Sequence, residues 1–187
     1  ILAKPGVLGP KSTPYSHFNH AQESASPGYY QVQLLDYPIL VELSSTKRTG
    51  LQRYSFQKEA EATIILNLGY ARNWDWVSDS YLEIINDTIL SGYRKSSGWA
   101  KDQRVYFYSV LSKPMAFAEI FNGDEIVDPK AQGTDLQAKL HFSVSESETI
   151  LIKTGISTVS IKNAKLNLNS EQTGFDFEKV KEEARMV

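Results

Sequence analysis

Hydrophobic positions recur at every second residue through most of this chain, and only near its end does their spacing become helical. Tyr30, Val32 and Leu34 alternate with Gln31 and Gln33, and Ile39, Val41 and Leu43 repeat the pattern after Asp36-Tyr37-Pro38. A period of two sends successive side chains to opposite faces, so these runs predict a hairpin of half-buried strands. After a turn at Thr46–Gly50, Leu51–Phe56 places Gln52, Tyr54 and Phe56 on one face, and Ala62–Leu68 reads as a core strand. Tyr81–Ile85 and Thr88–Arg94 pair across Asn86-Asp87, Val105–Leu111 pairs with Pro114–Phe121, and Gln137–Val144 and Thr149–Ser157 complete the β region around the polar turn Ser145–Glu148. Asn122–Asp135 reads as a hydrophilic connection. The fold expected over 1–157 is mostly β, an antiparallel β-sandwich of about nine or ten strands. Pro5, Gly6, Gly9 and Pro10 punctuate the start too densely for a long element, so 1–27 is expected to be an irregular lead-in.

Two C-terminal helices are expected over 158–187. Val159, Ile161, Ala164 and Leu168 fit one helical face loosely. Asp176 is a good N-cap, Glu178 suits the N-terminal dipole, and Phe177, Val180 and Ala184 form one apolar stripe. The helical pattern is still running at Val187, so this segment reads as the start of a linker to a further domain. With 187 residues the chain is long enough to bury a core without staples, which matters because it contains no cysteine. A net charge of −2 with interspersed signs lacks the footprint of a nucleic-acid binder, so no nucleic-acid partner is expected. No apolar run approaches the ~20 residues of a membrane-spanning helix, and no signal peptide is visible.

Candidate chemistry concentrates in Gly92–Phe107. Ser96, Ser97 and Gly98 break the strand pattern and hold Trp99 on a polar loop, flanked by Arg94, Asp102 and Arg104. An indole plane beside hydrogen-bonding groups suits a sugar, and it equally suits a domain contact. Asn73-Trp74-Asp75-Trp76 is a second aromatic loop, read as a plug for one end of the sandwich. His17, His20 and Glu23 recur every three residues and invite a metal reading, but on a helix Glu23 drifts off the face of the histidines. Surface polar groups fit that spacing better. Three carboxylate pairs, Asp75 with Asp79, Asp124 with Glu125 and Glu146 with Glu148, fall in expected loops without the apolar surroundings that raise a general acid's pKa. They read as solvated charges. Asn86-Asp87-Thr88 matches a glycosylation sequon and is read as an accident of the turn.

Several motifs in register resemble the N-terminal domain of the glycoside hydrolase family 92 α-mannosidases. They are Ser16-His17 with Glu23 and Pro27-Gly-Tyr-Tyr30, then Glu42-Leu-Ser-Ser-Thr-Lys-Arg-Thr-Gly50 before Arg53-Tyr-Ser-Phe56, then Gly92-Tyr-Arg94 with Ser97-Gly-Trp-Ala100 and Val105-Tyr-Phe107. Ser112-Lys-Pro114, Lys153-Thr-Gly-Ile-Ser157 with Asn163-Ala164, and Gly174-Phe-Asp-Phe177 continue the series. Gln52 departs from the family's His, Phe175 from its Trp, and the family's upstream Ser-His-x-His segment is absent. The resemblance implies a calcium-dependent, inverting, exo-acting α-mannosidase that acts on mannose-containing glycans and is exported to the periplasm or cell surface. It assigns the catalytic carboxyl groups to a helical domain downstream and calcium to the full-length enzyme, so no catalytic residue, metal ligand or cofactor is expected in this chain. Trp99, Arg94, His17 and Glu23 are the residues expected at a substrate or domain contact. A stand-alone carbohydrate-binding module and a purely structural interface domain remain the alternatives.

Overall fold

A computed structural model of the chain describes residues 2–5, 15–71, 74–127 and 129–186. The first strands are β1 (Leu2–Pro5), β2 (Glu23–Ser26), β3 (Tyr29–Leu34), β4 (Ile39–Ser45), β5 (Thr49–Phe56) and β6 (Ala60–Asn67). The middle of the chain forms β7 (Trp76–Asn86), β8 (Ile89–Ser97), β9 (Gln103–Leu111) and β10 (Phe117–Asn122). Then come β11 (Glu125–Val127), β12 (Lys130–Gly133), β13 (Leu136–Val144), β14 (Thr149–Ser157) and the helices α1 (Ile161–Glu171) and α2 (Phe177–Arg185). All strand pairs are antiparallel, in a nine-stranded sheet ordered β12-β7-β8-β9-β14-β5-β4-β3-β2 and a five-stranded sheet ordered β1-β6-β13-β10-β11. The mostly β, antiparallel architecture is the expected one, but β9 and β10, expected to pair, lie in different sheets, so their connection crosses from one layer of the sandwich to the other. The strands exceed the expected number because β1 and β2 fall in the stretch read as an irregular lead-in, and β11 and β12 fall in the hydrophilic connection. Short strands at or next to a sheet edge pair through backbone groups and need no alternating hydrophobic set.

The main core lies between the sheets. Tyr54, Phe56, Leu82 and Phe107 point inward from one sheet and meet Ile64, Ile120, Leu140 and Phe142 from the other. Burying each such side chain stabilises the fold by about 1.5–3 kcal/mol. Gly92 also faces inward, where a Cβ would stand 2.1 Å from the Tyr81 carbonyl oxygen and 2.9 Å from the Phe107 ring. The Phe107 ring therefore occupies the space that Gly92 leaves open.

The helices form a third layer on the outer face of the large sheet. Ser160 caps α1 by accepting from the Asn163 amide, and Asp176 caps α2 by accepting from the Lys179 amide. Ala164 and Leu168 pack on Tyr108, while Phe177 and Val180 pack on Leu51. Strand β5 is therefore covered on both faces, by the sheet opposite and by α2. The segment expected to begin a linker is packed against the domain.

Polar residues are also buried on the far face of the small sheet. His141 Nδ1 lies 3.0 Å from Thr63 Oγ1, its ring stacks on Phe117 at 4.1 Å, and Nε2 is 3.3 Å from a Glu119 oxygen without hydrogen-bond alignment. Burial holds the His141 pKa below its ordinary value, with Lys139 adding to that effect against the attraction of Glu119 and Glu61. A folded pKa below the unfolded one means that the unfolded chain takes up the proton first as the solution is acidified. The stability tied to the neutral ring is complete above about pH 6.5 and declines as pH falls from there. Urea midpoints measured between about pH 7.5 and about pH 5 are expected to fall for this chain and to fall less for His141→Gln. Identical slopes would sink the assignment.

Strand connectivity sorts the turns onto two ends of the sandwich. The β2–β3, β4–β5 and β8–β9 connections share one end, where the Ile156 amide donates to the Arg48 carbonyl. The β3–β4, β7–β8 and β9–β10 connections and the β13–β14 turn share the other, where the Met115 amide donates to the Asp87 carbonyl and the Gln57 amide to Pro38.

Candidate aromatic surface at one end of the sandwich

All three tryptophans of the chain lie at the end that carries the β8–β9 loop. Trp76 opens β7 opposite Ser97, and a bulge follows between Val77 and Asp79. Gly98 then sits directly on the preceding loop: a Cβ there would meet the Trp74 carbonyl oxygen at 2.9 Å and the Asp75 Cα at 3.0 Å. Only glycine lets the two loops touch at this point. The Gly98 amide donates to the Ala100 carbonyl at 3.0 Å, closing a turn with Trp99 at its tip. Trp99 is 90% exposed, Trp74 63% and Trp76 56%, with Tyr70 exposed nearby in the same loop.

Arg94 ties these loops together. Its Nε donates to the Leu68 carbonyl at 3.1 Å, and Nη2 donates to the Tyr70 carbonyl at 3.2 Å and to Asp75 Oδ2 at 2.7 Å. The Arg94 hydrogen bond holds the Asp75 carboxyl below its ordinary pKa. Arg94 therefore clamps the connection from β6 to β7 against β8. On the opposite face of the large sheet Tyr81, Tyr93 and Tyr106 form a row, with ring centroids 5.9 and 5.6 Å apart. Tyr93 donates to Asp79, Lys95 lies 2.8 Å from the same carboxylate, and Arg104 pairs with Asp102.

His17 and Glu23 are elsewhere. The His17 backbone amide donates to Asp36 Oδ2 at 2.6 Å, and its Nδ1 lies 3.0 Å from the same oxygen, in the β3–β4 turn at the opposite end. Glu23 sits on the edge strand β2, accepting from Tyr30 Oη at 2.7 Å and lying 2.6 Å from His20 Nδ1. The Tyr30 hydrogen bond leads in lowering its pKa, followed by His20. The spacing of His17, His20 and Glu23 thus resolves into two separate pairs. Among the described residues no three His, Cys, Asp or Glu side chains are grouped to hold a metal ion.

Three carboxylates expected to be solvated are instead paired. Asp75 belongs to Arg94, Glu148 lies 2.5 Å from Lys113, and Asp79 lies in strand β7 rather than in a loop. Burial pushes Asp79 upward, but bonds from Lys95, Gln132 and Tyr93 outweigh it and the pKa is lowered. Glu148 is lowered by its Lys113 bond first. A general acid needs the opposite shift.

Pattern reading missed the polar cluster under α2. Arg53 grips the buried Glu42 with Nε and Nη2 at 2.6 Å each, donates from Nη1 to Glu178 at 2.8 Å, and lies 4.1 Å over the Phe177 ring. Tyr29 Oη adds a 2.7 Å bond to Glu42. The visible signal was an opposite-charge pair at facing positions of a hairpin, since Glu42 and Arg53 are register partners.

The family model for the glycosyl hydrolase family 92 N-terminal domain matches residues 3–157. No curated protein sequence matches the chain. Among solved structures, the family 92 α-mannosidase BT3965 from Bacteroides thetaiotaomicron superposes with a TM-score of 0.86 at 29% identity, over 91% of this chain and 24% of that one. The family 92 inverting mannosidase BT2199 from the same species gives 0.79 at 22% identity, over 91% of this chain and 23% of that one. A putative kojibiose phosphorylase from the human microbiome shares the fold at a TM-score of 0.51 and 11% identity, over 86% of this chain and 23% of that one. The chain thus spans about a quarter of the length of these solved proteins.

Proposed function

This chain belongs to the glycosyl hydrolase family 92 N-terminal domains, and from that premise we propose that it supports the catalytic part of an inverting, exo-acting α-mannosidase and walls one side of its active-site cleft. The observation that carries the reading is Trp99, held at the tip of a braced turn on the end where all the tryptophans gather. Clefts form preferentially at domain interfaces, and an exposed indole on a rigid turn suits the apolar face of a sugar ring. A solved relative is described as an inverting mannosidase, and another in complex with mannoimidazole. Inversion requires two carboxyl groups about 6.5–9.5 Å apart, one of them protonated. Asp75, Asp79 and Glu148 are held ionised by Arg94, Lys95 and Lys113, so we assign the catalytic pair to parts of the enzyme outside this chain. We assign calcium there as well.

Trp99→Ala in the whole enzyme is expected to lower kcat/KM on α-mannobiose about tenfold, the scale of one aromatic contact of about 1.4 kcal/mol. The exposed position means that the urea midpoint of the 187-residue chain should not move. Unchanged kinetics would remove Trp99 from the cleft. Calorimetric titration of the chain alone with mannose and mannobiose is expected to show no binding, and saturable binding would favour a stand-alone carbohydrate module.

A further inference from the structure

We propose that Trp74 and Trp76 continue the Trp99 surface into a platform for the sugar units beyond the scissile bond, so that the site takes mannose-containing oligosaccharides in preference to disaccharides. This rests on the reading of the chain as a cleft wall. Neither residue belongs to the motifs that carry the family resemblance, and each would be explained more simply as a plug for the end of the sandwich. The structure excludes the plug, because both side chains are more than half exposed.

The loops that carry the three indoles form one unit. Gly98 sits on the Trp74–Asp75 backbone, Trp76 and Ser97 are register partners, and Arg94 bonds the Leu68 and Tyr70 carbonyls and the Asp75 carboxylate. Among the described residues no ring stacks on any of the indoles, and none of their Nε1–H groups has a protein acceptor. Toward the described residues each tryptophan therefore keeps an open face and an unused donor, the pair of features a sugar ring uses: C–H groups against the plane and hydroxyls to the N–H. The Asp102–Arg104 pair stands beside the Trp99 turn with more than half of each side chain in solvent, which supplies further hydroxyl partners. Mannosyl units are neutral, which accords with an aromatic surface whose neighbouring charges are already paired.

The test uses the whole enzyme, with Trp74→Ala/Trp76→Ala and the matching double Phe variant. Substrates are an aryl α-mannoside, α-mannobiose and α-mannotriose. The alanine variant is expected to raise KM for mannotriose about tenfold, leave kcat unchanged, and leave the aryl mannoside unaffected. The phenylalanine variant should recover most of the loss. An equal change on all three substrates, no change on mannotriose, or a lowered melting temperature of the whole enzyme would overturn the platform, the last by showing that these indoles are buried against the rest of the protein. A parent enzyme inactive on every α-mannoside would instead overturn the cleft-wall reading on which the platform rests.

Discussion

Gly155→Val is expected to lift α1 from the large sheet and lower the stability of the chain by about 3 kcal/mol. Gly155 lies in β14 with the helix pressed on it, so that a Cβ would stand 2.3 Å from the Ala164 carbonyl oxygen and 2.8 Å from the Leu168 Cβ. The nearest obstacle is backbone, so no rotamer change relieves the clash. The helix must move, and moving it exposes the contact of Ala164 and Leu168 with Tyr108. Urea unfolding read by circular dichroism measures the loss, and limited proteolysis should show earlier cleavage around α1. A change below about 0.5 kcal/mol, the size of an ordinary surface substitution, would mean that the helix is not packed here as described.

Glu42→Ala is expected to cost about 3–5 kcal/mol, because it strands a partly buried guanidinium. Arg53 loses both of its 2.6 Å bonds and keeps only Glu178 and the Phe177 ring, while Tyr29 loses its 2.7 Å acceptor. Replacing both partners, as Glu42→Leu with Arg53→Met, should recover much of the loss, since an apolar pair carries no unpaired charge. If the double variant is as unstable as the single one, packing rather than the ion pair holds α2. The same cluster has a pH signature. Burial pushes the Glu42 carboxyl upward, but bonds from Arg53 and Tyr29 bring it below its ordinary value. Its stability is therefore present above about pH 4.5 and is lost as pH falls below that. Tyr29 runs the other way: burial, then the Glu42 bond, raise it to about 12. That contribution is complete below about pH 10 and is lost as pH rises from there towards 12.

The sequence determined by itself the elements whose side chains carry a long alternating or helical pattern. Strands β3 to β10, β13 and β14, the Asp176 cap and the Phe177–Val180 stripe were legible, because burial on one face selects apolar residues at a fixed period. The in-register motifs likewise sufficed to indicate the family. Strands β1, β2, β11 and β12 were not legible, since short peripheral strands are held by backbone bonds that leave no side-chain rhythm. The candidate site divided the same way. Trp99 was visible as an aromatic in a turn, but its place at the same end as Trp74 and Trp76 depends on the β7–β8 register, on Gly98 and on the reach of Arg94. His17 and Glu23 looked equivalent to it in sequence, yet strand order places one at the opposite end and the other on an edge. A local pattern records whether a position faces solvent. Which loops share an end is decided by pairings between distant segments, and only the tertiary structure contains those.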